Sequence, residues 1–375
     1  MKFLFSVILF CVHSISYAVE IPVDPNLNEE IVFIKKKQIF PIDLETTIFK
    51  PSGSGPFPVV IINHGKQGGG EKTQPRERSL PAAREFLQRG YAVVLPMRQG
   101  FSRSTGNVIE PYCNLLSTGE EHAKDLVVVI DWLENQKWAN TSEMIMFGQS
   151  HGGLTTLAYA QNPHPGIKLF VNFAGGSNYP NSSCGWEQSM KLAFKKFGQN
   201  TVVNSVWFYG ENDSCFPPRV IQPAYEAYKQ GNPNVEMISF GPFGKDAHGM
   251  FGSYEGIPIW LPVIEQKLSF LNLPVDIKHP QFALPKDIDP PPDSGFALVI
   301  DIDKVPLRNN QSKEGYKDWL KADPPKAFAI HPTNGSWGSS WGGELPYSRA
   351  LSNCEKYAKA PCKLYAVDDR VVWDK

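Results

Sequence analysis

Residues 144–153 read MIMFGQSHGG, an apolar run that leads into a Gly-x-Ser-x-Gly frame centred on Ser150. The run has the continuous apolar character of a buried strand. Beyond the frame, Leu154, Leu157 and Ala158 recur at helical spacing until Asn162 and Pro163 stop the pattern. Strand, glycine turn, serine and helix, in that order, is the setting in which a serine hydroxyl is held on a sharp reversal facing a base. A free hydroxyl is a poor nucleophile at neutral pH, so the frame gains chemical meaning only if a base and its orienting acid lie nearby. Gly148 and Gly152 leave room for the reversal. Alone, the frame fits a glycine-rich turn with an N-capping serine equally well.

Working outward, segments 30–37 and 43–50 have the β-branched, alternating character of two early strands, and PVVIIN at 58–63 is a short apolar run expected at the centre of a sheet. Leu80, Ala83, Phe86 and Leu87 mark a helix ended by Gly90, and YAVVLPM follows as another buried strand. A helix over about 120–134 leads into the strand that carries Ser150. Further strands are expected near 168–174, 203–209 and 235–240, with helices at 186–197, 218–229 and 260–271. Alternation of this length predicts a mainly parallel sheet covered by helices on both faces. Chemistry in such sheets gathers at the carboxyl ends of the strands.

The 375 residues suit one large domain with an appendage. Residues 1–18 combine Lys2, an apolar stretch from Phe3 to Val12, and small residues at Ser16 and Ala18, which reads as a secretory signal peptide. The catalytic domain is then expected over 19–273, a proline-rich linker over 274–293 and a small α+β module over 294–375, with a helix near 348–359 and a terminal hairpin turning at Asp368 and Asp369. A formal charge of −1 supplies no basic stripe for nucleic acid, and no apolar run is long enough for stable membrane insertion once the signal is removed. A secreted or periplasmic location is expected.

Five cysteines remain beyond the signal, a number that cannot all pair internally. Cys354 and Cys362 flank a short helical segment and are expected to pair, closing a loop that contributes roughly 2–4 kcal/mol. Cys113 with Cys184 is the second expected pair, leaving Cys215 free; the alternative is that all five are reduced and buried. The cysteines lack the paired short spacings of a zinc site, so neither metal nor cofactor is expected. Trp337 and Trp341 could stack on sugars or cell-wall polymer, giving envelope contact through the module, but packing in the module's own core is the preferred reading.

A serine nucleophile needs a base, an acid and donors for an oxyanion, and the glycine elbow orders them Ser, acid, His along the chain. His248 in GKDAHGMF follows the strand EMISF and is the expected base; His64, His122, His151, His164, His279 and His331 sit in a strand end, helices or proline turns. Asp213 in WFYGENDSCFP is the expected acid, with Glu211 and Asp246 as runners-up. The backbone amide of His151 and that of Lys66, in INHGKQGGG, are the expected oxyanion donors, with Gly65 second. Loops 97–118 and 175–190 are expected to shape the pocket, with Tyr112, Tyr179, Trp186 and Phe216 as walls.

Together FPVVIINHG, RGYAVVLPMRQGFSRSTG, GQSHGG, YGENDS and DAHGMF resemble the α/β-hydrolase family over about residues 40–272, most closely its dienelactone-hydrolase-like and prolyl-oligopeptidase-like bacterial members. The resemblance implies an α/β-hydrolase fold, Ser150 as nucleophile, Asp213 as acid, His248 as base, and Lys66 and His151 as oxyanion donors. Dienelactone hydrolases proper carry a cysteine where this chain has Ser150. The expected activity is therefore hydrolysis of a small-molecule ester or acyl substrate through an acyl-enzyme. The alternatives are a serine peptidase, or a non-catalytic envelope binder on the same fold.

Overall fold

A computed structural model describes residues 20–180 and 182–374; the expected signal segment lies outside them. Eight strands form one sheet: β1 (Glu29–Lys36), β2 (Ile42–Phe49), β3 (Phe57–Asn63), β4 (Ala92–Pro96), β5 (Ala139–Gln149), β6 (Ile167–Phe173), β7 (Ser205–Gly210) and β8 (Val235–Phe240). Their order is β1-β2-β4-β3-β5-β6-β7-β8. The first two strands run antiparallel to each other and β2 antiparallel to β4, whereas all neighbours from β4 to β8 are parallel. This is the α/β-hydrolase architecture.

The apolar runs are continuous because the inner strands bury both faces. In β3, Val60 and Ile62 join Phe86 of α1 (Leu80–Gln88) and Trp260 of α6 (Ile257–Phe270) in one core. Val59 and Ile61 point the other way, onto Leu126, Val129 and Leu133 of α2 (Leu115–Leu133). A further core joins α3 (His151–Tyr159), α4 (Trp186–Gln199) and α5 (Pro218–Lys229) through Leu154, Phe194, Trp207 and Tyr228. An inner strand such as β3 thus buries alternate residues against two different helical layers, which hydrophobicity alone renders as an unbroken apolar string.

A second sheet of four antiparallel strands, ordered β10-β9-β11-β12, forms the C-terminal module from β9 (Lys326–Ile330), β10 (Trp337–Trp341), β11 (Lys363–Val367) and β12 (Arg370–Val371). The hairpin turns at Asp368 and Asp369 as expected. Helix α8 (Pro346–Ala358) covers one face, and α7 (Asn310–Leu320), which the polar sequence around it conceals, covers the other through Tyr316 and Trp319. Trp337 stacks on Phe328 with ring centroids 5.0 Å apart, as a core residue should. Trp341 departs from that expectation: it is 56% exposed at the end of β10. Cys354 pairs with Cys362, tying the end of α8 to the start of β11.

The stretch 274–293, expected as a linker, lies against the large sheet's helices. Phe282 is buried in their core, the amides of Lys278 and His279 donate to the Gln88 carbonyl, and the Asp287 carboxylate accepts the first amides of α8 from Tyr347 and Ser348.

The turn from β5 into α3 depends on absent side chains. A Cβ added at Gly152 would overlap the backbone oxygen of Asn63 at the end of β3. Because the obstacle is backbone in the middle of the sheet, it cannot move aside cheaply. Gly152→Ala is expected to destabilise the fold by about 2 kcal/mol or more, measured as a lowered urea midpoint at unchanged m-value.

Candidate active site

Ser150 sits between the last residue of β5 and the first of α3, with φ 54° and ψ −123°. Its amide donates to Phe173 O at 2.9 Å, and its carbonyl accepts from Gly153 (2.8 Å) and Gly176 (3.0 Å). The unusual backbone is therefore held from β6 and from the helix at once, leaving the side chain to project from the strand ends.

His248 Nε2 lies 2.9 Å from Ser150 Oγ, and its Nδ1 is 3.2 Å from both carboxylate oxygens of Asp213. The three residues come from the ends of β5, β7 and β8. Asp213 is buried, and its Oδ1 also accepts the amides of Cys215 and Phe216 at 2.8 Å each, which orients the carboxylate toward the imidazole. Of the two runners-up, Asp246 accepts the amides of Ser214 and His248 (3.0 Å each) and so fastens the loop, while Glu211 is exposed.

Burial lowers the basicity of the His248 imidazole, but the hydrogen bonds and charge of Asp213 and Cys215 outweigh it, so its pKa is raised above the ordinary 6.5. In turn the hydrogen bond to His248 holds the Cys215 thiol below its usual pKa. Among the described residues, Asp213, Cys215 and His248 are the one group of three metal-competent side chains, with ligand atoms within 4.8 Å of one another. Asp213 and His248 already satisfy each other there.

On the opposite side of Ser150, the loop after β3 passes close enough that a Cβ on Gly65 would collide with the Gln149 side chain and come within 3.4 Å of Ser150 Cβ. Lys66 is clamped there by its ammonium, 2.8 Å from Glu71 and 3.0 Å from Glu110. The loop thus comes against the serine at Gly65, while His151 follows Ser150 directly as the first residue of α3.

Behind them lies a buried polar cluster. Arg98 donates to His64 O (2.5 Å), while the Arg98 amide donates to His64 Nε2 (3.0 Å). Rings of His122 and His151 meet edge to face at 4.9 Å, and Glu110 lies 3.6 Å from His151 Nδ1. Burial first, then the Arg98 charge, hold His64 and His151 well below 6.5 and lower His122 to about 3. All three therefore favour the neutral form at physiological pH.

The expected wall residues fall in two pairs. Tyr112 meets Tyr179 at 5.6 Å and hydrogen-bonds Ser182, and Trp186 meets Phe216 at 6.5 Å, with Phe216 5.6 Å from the His248 ring. Tyr112 is 68% exposed, whereas Phe216 is buried. Cys113 is bonded to Cys184, joining the two expected pocket loops, and Cys215 is free.

Three contributors carry no motif. Gln149, inside the frame, donates to His248 O at 3.1 Å and ties the elbow to the base loop. Arg98 and Glu110 occupy a loop read only for pocket shape; an arginine directly after the apolar run AVVLPM was the available signal.

The profile of the X-Pro dipeptidyl-peptidase (S15 family) matches residues 42–193, a span that includes Ser150 and ends before Asp213 and His248. No curated protein matches the chain. Similar solved structures include an esterase of Pyrococcus furiosus at 15% identity, covering 68% of this chain and 98% of that one with a TM-score of 0.49. A putative dienelactone hydrolase of Klebsiella pneumoniae matches at 15% identity over 64% of this chain and 97% of that one, with a TM-score of 0.45. Dipeptidyl peptidase 4 of Porphyromonas gingivalis matches at 15% identity over 65% of this chain and 35% of that one, with a TM-score of 0.46. Likenesses this distant carry no information about substrate.

The raised His248 pKa has a signed consequence. A histidine with folded pKa above its unfolded value contributes stability fully present below about pH 6.5 and lost as pH rises through the folded pKa. An NMR titration of the His248 ring is expected to show a midpoint above 6.5, and Asp213→Asn is expected to lower it. The stability difference between wild type and Asp213→Asn should be largest in acid and shrink on the alkaline side.

Proposed function

We propose, on the premise that the chain is a member of the α/β-hydrolase superfamily, that it is a serine hydrolase cleaving a carboxylic ester through an acyl-enzyme. The observation that carries this reading is the hydrogen-bonded row from Ser150 through His248 to Asp213. In its neutral form, whose share grows as pH rises through the raised pKa, His248 takes the hydroxyl proton at Nε2 as Ser150 Oγ attacks the ester carbonyl, and Asp213 stabilises the imidazolium formed. The developing oxyanion is held by the amides of Lys66 and His151. Collapse expels the alcohol, which receives the proton from His248, and a water activated by the same imidazole then releases the acid. Tyr112, Tyr179, Trp186 and Phe216 are assigned to the pocket walls.

A peptidase is the second reading, and the match of residues 42–193 to the X-Pro dipeptidyl-peptidase (S15 family) favours it. Ester is preferred because an amide demands stronger leaving-group protonation and a defined peptide cleft. The pairs Cys113–Cys184 and Cys354–Cys362 support an oxidising compartment, consistent with an export signal over 1–18 and a secreted or periplasmic location. No described helix is long and apolar enough to cross a membrane.

Purified protein is expected to hydrolyse p-nitrophenyl acetate, to react with a fluorophosphonate probe, and to turn over an X-Pro p-nitroanilide more slowly. Ser150→Ala should abolish labelling, and Asp213→Asn should lower kcat by about 10³- to 10⁴-fold. Absence of labelling in native wild type would leave the non-catalytic binder as the surviving reading. Faster turnover of the anilide would make the peptidase the better one.

A further inference from the structure

The C-terminal module touches the loop that carries His248 at both ends. Three residues before the histidine, Lys245 pairs with Asp323 at 3.0 Å and donates to the Lys321 carbonyl, both in the segment between α7 and β9. Six residues after it, the Tyr254 hydroxyl donates to the carboxylate of Glu344, in the loop between β10 and α8. Arg84 of α1 completes this second contact with two hydrogen bonds to the same carboxylate, from Nε at 2.6 Å and Nη2 at 3.1 Å. The 3₁₀ turn Ala247–Gly252, which carries His248 and buries Met250 and Phe251 in the large sheet's core, is thus flanked at each end by a contact to the module.

The anchors differ in character. Lys245 and Asp323 are more than half exposed, so their pair is solvated and weak. Side chains of Arg84 and Glu344 are only 6% and 22% exposed. Arg84 also donates to the carbonyls of Phe282 and Ala283, which orients its guanidinium. Removing the carboxylate would leave a largely buried cation and a tyrosine hydroxyl without this partner, so the loop could not keep its place unchanged. On the catalytic side the loop has ties of its own: Gln149 donates to His248 O, Asp246 accepts the amides of His248 and Ser214, Asp213 pairs with the imidazole, and Met250 and Phe251 are buried in the large sheet's core. The module's contacts add to these at the two ends of the loop.

We propose that Glu344 is a positioning residue, and that the C-terminal module is a working part of the hydrolase because it holds the His248 loop in register with Ser150. This rests on the hydrolase reading of the site. Proton transfer over 2.9 Å tolerates little displacement, so loosening an anchor should slow the chemical step more than it weakens substrate binding.

The test uses the full-length chain with p-nitrophenyl acetate, comparing wild type, Glu344→Ala, Glu344→Gln and Tyr254→Phe. For Glu344→Ala and Tyr254→Phe, kcat is expected to fall about tenfold with KM within about twofold, while Glu344→Gln, which keeps an acceptor for the tyrosine, retains most of the rate. Backbone hydrogen exchange over residues 245–254 should accelerate in Glu344→Ala, with protection in the module's sheet retained. Should Glu344→Ala fail to fold, Tyr254→Phe removes only a hydroxyl and carries the same test. Unchanged kcat together with unchanged exchange in that loop overturns the proposal. If wild type shows neither turnover nor fluorophosphonate labelling, the hydrolase reading is what fails, and the exchange measurement alone decides whether the module holds the loop.

Discussion

Ser150 occupies a backbone conformation that costs a non-glycine residue about 1–3 kcal/mol, and much of the neighbouring structure offsets that cost. Met144 to Phe147 of β5 are fully buried between β3 and β6, and every residue of α3 is buried. Neither element can tilt or slide to relax the turn, because each is locked by a separate core. With strand and helix fixed, the single residue between them takes up the whole reversal.

Fixing the serine turns placement of its partners into a question of loops. Asp213 is directed by two amides of its own loop, and His248 by contacts from the elbow, from Asp246 and from the module. On the side of the Gly65 loop the arrangement is electrostatic as well as steric. Arg98, donating to the His64 carbonyl, polarises the peptide group that this carbonyl shares with Gly65, within the loop that passes over the serine. The neutral state of His64, His122 and His151 means that this guanidinium is not joined by further buried positive charge.

Much of this was legible in the sequence, and what was hidden had physical reasons. Inner strands announce themselves because both faces are apolar, and the strand-end residues Ser150, Asp213 and His248 stand out against such runs. Helix α7 did not, since its core contacts through Tyr316 and Trp319 are diluted among charged residues facing solvent. Trp341 and Trp337 look equivalent as letters, four residues apart on one short strand, yet only Trp337 is stacked on the module's aromatic core. Contacts such as Gln149 with His248 or Arg84 with Glu344 join residues 99 and 260 positions apart, and no local pattern encodes them.

The bond between Cys113 and Cys184 joins two loops that leave the sheet on different strands, 71 residues apart in the chain. Such a bond exists only while both sulfurs are oxidised. Linking them removes conformations that the two loops would otherwise sample in the unfolded chain, so the cross-link restrains both at once although each is built on a different strand.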